Sequence, residues 1–102
     1  MIMYYDWPVD IAMQICKDES RGNPENINWG DSHKNSKGEV TCVSSQGLFQ
    51  IACFWPKKLG YTKADLLNSE KNIEMAYMIW KKEGFCPWTT FKDELGDCQI
   101  KK

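Results

Sequence analysis

Histidine occurs once in this chain of 102 residues, at His33, and no two cysteines stand close enough for a C-x2-C metal clip. Zinc is therefore not expected. Any Ser-His or Cys-His nucleophilic centre would have to use His33, which lies in a hydrophilic segment without a nucleophile signature beside it. The segment Asp31 to Glu39 offers oxygen atoms at alternating positions, but an EF-hand loop needs Gly at its sixth position and Glu at its twelfth, where Ser36 and Cys42 stand. No metal and no cofactor are expected. No apolar run approaches the roughly 20 residues of a membrane span. The 13 basic and 14 acidic residues leave a formal charge of -1, which lacks the basic footprint of a nucleic-acid binder. No internal repeat is present.

Hydrophobic residues make up 42% of the chain, and five of them are tryptophans, enough for one modest core and one domain spanning 1–102. A monomer is expected. The start, Met1 to Tyr5, has neither a basic n-region nor an extended apolar h-region, so no signal peptide is expected there. Five cysteines favour an oxidising compartment, and their odd number leaves at least one thiol over unless it pairs between chains. Sequence does not select among the pairings. The expectation is Cys86 with Cys98 across the tail and Cys42 with Cys53 around residues 47–51.

Local patterns divide the chain. A helix is predicted from about Asp6 to Glu19, with Asp6 as its cap and Pro8 in its first turn. Residues 21–44 are rich in Gly, Asn, Ser, Asp and Lys and read as a long loop or a short irregular β-rich segment. Thr62 caps a short helix over Lys63 to Leu67, with Asp65 completing a capping box. Ser69 is predicted to cap a stronger helix reaching about Glu83, with Glu70 in its first turn, Lys81 and Lys82 in its last and Gly84 beyond. Ile73, Ala76, Tyr77 and Trp80 form its buried stripe. Trp88 and Phe91 are expected to pack beneath a cleft.

Glu19 stands out because Ala12, Ile15 and Cys16 precede it by seven, four and three residues, on one face of the first helix. A carboxylate drawn toward low dielectric resists ionisation, which suits a general acid near neutral pH. The alternative is a solvated carboxylate at a fraying helix end. Glu19-Ser20, Asn23-Pro24, Asn28, Gly47-Leu48-Phe49-Gln50-Ile51, Asn72 with Ala76-Tyr77, and Pro87-Trp88 follow one another in an order that resembles the lysozyme-like superfamily. The resemblance runs from about Val9 to Phe91 and is nearest to soluble lytic transglycosylases and goose-type lysozymes. It implies a mainly α fold, a helical α+β lysozyme-like domain whose long irregular or small β-rich loop flanks a glycan-binding cleft. It also implies cleavage of the β-1,4 bond between N-acetylmuramic acid and N-acetylglucosamine in peptidoglycan.

By resemblance Glu19 is the acid and then the base. Ser20 and Ser45 hydrogen-bond the substrate or orient Glu19, Gln50 reaches the N-acetyl group or the glutamate, and Gly47 lets the sugar chain approach. Leu48 and Phe49 divide between core and cleft wall, Asn28 joins the substrate-binding set, and Tyr77 is a hydroxyl near Glu19. Animal-type lysozymes carry a second acid five residues before that glutamine, where this chain has Ser45, so the resemblance favours the one-glutamate enzymes that form 1,6-anhydromuramic ends without water. Two other readings stay open. A hydrolytic lysozyme would use Asp31 or Glu39 to hold water, and a non-catalytic module would bind glycan or protein, with Trp55, Trp80 and Trp88 as stacking surfaces. Peptidoglycan strands are the expected partner. The expected location is extracellular, periplasmic or at the cell wall, reached after removal of a leader or by another route such as phage release.

Overall fold

The computed structural model describes residues 2–34, 36–85, 87 and 88. Within them the chain forms α1 (Val9–Ser20), β1 (Ile27–Lys34), β2 (Val40–Gln46), β3 (Ile51–Ala52), α2 (Trp55–Leu59) and α3 (Ser69–Glu83). Short 3-10 turns occupy Ile2–Tyr4 and Lys63–Leu67. The strands form one antiparallel sheet in the order β1-β2-β3. The architecture is therefore α+β, and the mainly α expectation is corrected. The reason lies in residues 27–46, which pair as strands where residues 21–44 are expected as a long loop or a short irregular β-rich segment. Trp29, Val40 and Val43 are all exposed, so both faces of the hairpin meet water and its residues show little hydrophobic alternation. Backbone pairing carries this part of the chain, with Ile27 opposite Gln46, Asn28 opposite Ser45 and Trp29 opposite Ser44.

Helix α1 begins later than Asp6 suggested. Pro8 is extended at ψ 94°, and the Ala12 N–H donates to the Pro8 carbonyl at 3.0 Å, so Pro8 occupies the cap position. The helix ends one residue beyond Glu19. Arg21 turns left-handed at φ 56°, and the Ser20 hydroxyl donates back to the Cys16 carbonyl at 3.1 Å while accepting from the Gly22 N–H at 3.2 Å. Ala12, Ile15, Cys16 and Ser20 form its buried side. Burial raises the Cys16 thiol pKa above its ordinary value, opposed by its hydrogen bond with Ser20.

Asn68, one residue before the expected Ser69, caps α3 by accepting the Lys71 N–H at 3.0 Å. Asn suits that role because its short side chain reaches back to the first free amides. At the shorter turn the Asp65 carboxylate accepts the Thr62 N–H at 2.9 Å. Helix α3 stops at Gly84, whose φ of 68° is left-handed and whose N–H bonds the Trp80 carbonyl. Its buried stripe is Asn72, Ile73, Met75, Ala76, Ile79 and Trp80, with Tyr77 half-buried at the edge.

These stripes meet an aromatic core. Trp7 lies 5.6 Å from Phe49 and 6.2 Å from Phe85, and Phe49 lies 6.0 Å from Trp88. The Trp88 indole N–H donates to the Phe49 carbonyl at 2.7 Å, which satisfies a polar group inside that cluster. Cys42 and Cys53 form the disulfide expected around residues 47–51, tying β2 to the segment after β3. The Cys86–Cys98 pairing and the packing of Phe91 fall outside the described residues. No helix among the described residues is long and apolar enough to cross a membrane.

Candidate functional site

The turn between β2 and β3 is fixed from below by one buried side chain. The Oδ1 of Asn72 accepts the Phe49 N–H at 2.9 Å, and its Nδ2 donates to the carbonyls of Gln46 at 2.9 Å and Leu66 at 2.7 Å. Gly47 sits against this arrangement at φ 83°, where a Cβ would collide with the Asn72 amide and the Leu66 carbonyl. The absent side chain thus makes room for the core, which corrects the expectation that it makes room for sugar. Phe49, fully buried, also belongs to the core.

Above the turn lies a cleft of about 480 Å³ lined by Glu19, His33, Ser45, Gln50, Ile51, Ala52, Phe54, Trp55, Ile79, Glu83, Pro87 and Trp88. Three of the expected site residues, Glu19, Ser45 and Gln50, meet here. Ser20 does not, because neighbouring helix residues point about 100° apart and its hydroxyl serves the end of α1. Asn28 is exposed on β1, and Leu48 lines a different, apolar hollow with Ile2, Met13, Pro24 and Ile73. Tyr77 stacks on Tyr5 at 4.6 Å and under the Lys81 ammonium rather than standing beside Glu19. Trp80 is core, whereas Trp55 and Trp88 reach the cleft wall.

No protein-family model, curated protein or solved structure matches this chain.

Its site is therefore defined by its own chemistry. Glu19 is half-buried in the last turn of α1, and Glu83 is the last residue of α3. A negative charge at a helix C-terminus opposes the helix dipole, so helix stability explains neither carboxylate. Of the two acids considered for holding water, Glu39 is exposed just before β2 and away from the cleft lining. Asp31 lies on β1, and its side chain is outside the described structure.

Gln50 takes the left-handed conformation, φ 47°, and its Nε2 donates to the carbonyls of Asn26 and Gly47, both at 2.9 Å. Both partners are acceptors, which fixes the amide orientation and engages both of its hydrogens. Gln50 therefore turns only its carbonyl oxygen to a ligand. His33 is a member of the site that its sequence context concealed. Its Nε2 stands 3.1 Å from both the Ser44 carbonyl and Ser45 Oγ, and its ring meets Phe54 edge-on at 5.6 Å. Pairing of β1 with β2 brings His33 and Ser45 together, and no signal in a stretch read as a loop or irregular β-rich segment gives that register. Glu83 was legible only as a helix end.

Proposed function

We propose that the protein cleaves peptidoglycan as a muramidase at the N-acetylmuramic acid-β-1,4-N-acetylglucosamine bond, as a lytic transglycosylase with Glu19 as acid and then base. The observation that carries this reading is that Glu19 lines a cleft of about 480 Å³ together with Ser45, which stands where the resemblance would put a second carboxylate. The ordered motifs that resemble lytic transglycosylases support it from the sequence side. Glu19 protonates the glycosidic oxygen as that bond breaks, and the substrate N-acetyl oxygen assists at the anomeric carbon. The Glu19 carboxylate then takes the proton of the sugar 6-hydroxyl, whose oxygen closes the 1,6-anhydro ring. General acid–base work of this kind contributes about 10² to 10⁴ in rate. The aromatic edges of Phe54, Trp55 and Trp88 supply apolar surface for the sugar faces. The Cys42–Cys53 bridge supports action outside the reducing cytosol, in extracellular, periplasmic or cell-wall space.

Glu83 favours a second reading. It places another carboxylate in the same cleft, and a carboxylate that activates water gives hydrolysis instead of ring closure. Mass spectrometry of muropeptides released from purified peptidoglycan separates the two. Anhydro ends, about 18 Da lighter than reducing ends by one water, are expected, with Glu19→Gln folded and inactive. Reducing ends that vanish in Glu83→Gln would establish the hydrolytic reading, and no release from several wall types would leave a glycan-binding module.

A further inference from the structure

A separate hollow of about 320 Å³ shares no lining residue with the cleft and is walled by Tyr4, Tyr5, Glu70, Ile73 and Glu74. The N-terminal turn builds one wall. The Trp7 indole N–H donates to the Ile2 carbonyl at 2.8 Å, and Tyr5 stacks on Tyr77 at 4.6 Å, so the turn is pinned to the core and to α3. Tyr4 is left 82% exposed, its ring at 89° to that of Tyr5 with centroids 5.3 Å apart, which makes an aromatic corner open to water. Helix α3 builds the other wall. Glu70 and Glu74 stand four residues apart on one helical face, where like charges oppose each other. Glu70 lies in the first turn, where the helix dipole favours it, but half-buried Glu74 lies beyond that turn and is held by the Tyr61 hydroxyl, which donates to it. Both charges are felt at the Tyr5 phenol, whose pKa is raised first by burial, then by Glu74, with Tyr4 and Glu70 adding to it.

We infer that this hollow binds a quaternary ammonium group, a trimethylated amine with no anion beside it. The ring faces and the carboxylates both attract a cation. Methylation follows from the rest of the lining: Tyr4, Tyr5 and Ile73 offer apolar surface to methyl groups, whereas a primary ammonium would give up more hydration than carboxylates on one side restore. A phosphocholine head is disfavoured because its phosphate would meet Glu70 and Glu74. No metal-binding group of three or more His, Cys, Asp or Glu occurs among the described residues. Lys71 lies over the Tyr61 ring at 5.9 Å and outside the lining.

Carbon–proton NMR of the whole protein, titrated with choline chloride at low ionic strength, tests the inference. The Tyr4 and Tyr5 ring signals and the Ile73 methyl signals should shift saturably with a Kd on the order of 1 mM, the scale of a few exposed cation–π contacts. The uncharged alcohol with carbon in place of the choline nitrogen, ethanolamine and phosphocholine should each bind more weakly. Tyr4→Leu and Glu70→Gln change exposed side chains and should each weaken choline about two- to fivefold. Absence of saturation at about ten times the expected Kd, or equal binding of the uncharged alcohol, would overturn the inference. Equal binding of ethanolamine or phosphocholine would overturn the choice of a trimethylated amine without an anion, and unchanged affinity in both variants would refute the site. Muropeptide release plays no part in these readouts, so failure of the cleavage reading leaves this inference standing.

Discussion

Glu19 and Glu83 stand on helices whose other faces are filled by Ile15, Cys16, Met75, Ile79 and Trp80, whereas His33 and Ser45 stand on strands, and Gln50 in the β2–β3 turn, of a sheet whose outer residues Trp29, Val40 and Val43 meet solvent. The helical wall is secured by many small apolar contacts, none of them individually decisive. The sheet wall depends on a few directional links: the Asn72 amide, the Cys42–Cys53 bridge and the Nε2 of His33. Non-directional packing tolerates loss of a methyl group at moderate cost, while a wall held by a few polar bonds fails when one is removed. The chemistry is accordingly divided, with carboxylates on the packed wall and orienting groups on the bonded one.

The sharpest way to break the sheet wall is at Gly47. Gly47→Ala forces a side chain into the left-handed region and into Asn72 and Leu66, at roughly 3–5 kcal/mol from strain and overpacking together. A urea unfolding midpoint reads it, and an unchanged midpoint would mean that the turn relaxes away from α3. Asn72→Ala comes next. It leaves the Phe49 N–H and two carbonyls buried without their partner, at about 2–4 kcal/mol. Asn72→Asp would keep the bond from Phe49 but turn both carbonyls against a carboxylate, so it should not rescue.

The bridge sharpens the comparison instead of collapsing the fold. The double variant Cys42→Ala, Cys53→Ala is expected to lose about 2–3 kcal/mol, the scale of a short closed loop. Because the bridge stabilises the strands that carry His33 and Ser45, helical circular dichroism should persist at 25 °C while muropeptide release falls. Equal loss of both would show that the two walls unfold together.

The same contrast explains how much was legible. Helix α3 could be read from its period, its terminal charges and Gly84, because one face is buried and the other wet. The Thr62–Asp65 box was likewise visible, being a contact within four residues. The hairpin was legible only as one of two readings, a long loop or a short irregular β-rich segment, since neither of its faces is wholly buried and alternation never emerges. Its register was hidden, and with it the meeting of His33 and Ser45, which exists only through strand pairing. The order of motifs singled out Glu19, Ser45 and Gln50, and the fold brings these three to one cleft. Ser20, Leu48 and Tyr77 were carried along by that order, although side-chain direction sends them elsewhere, while Asn28, opposite Ser45 across the sheet, is exposed and outside the cleft lining.

Alkaline pH provides the mildest test, and it should act on the helical side alone. Burial is the largest cause raising the pKa of the phenols of Tyr5 and Tyr61 and of the Cys16 thiol; for Tyr61 its hydrogen bond to Glu74 and the Glu74 charge add to it. Each group therefore holds its proton more tightly folded than unfolded. Below the ordinary values of 9.0 for the thiol and 10.0 for the phenols both states are protonated, and the stabilisation is fully present. Above them the unfolded chain releases protons that the folded chain keeps, so stability falls as pH rises. The thermal midpoint should decline between about pH 9 and 11 and decline less steeply in Tyr61→Phe, which cannot ionise. An identical slope in that variant would remove Tyr61 from the account and leave the alkaline loss to Tyr5 and Cys16, on the first turn and helix of the same wall.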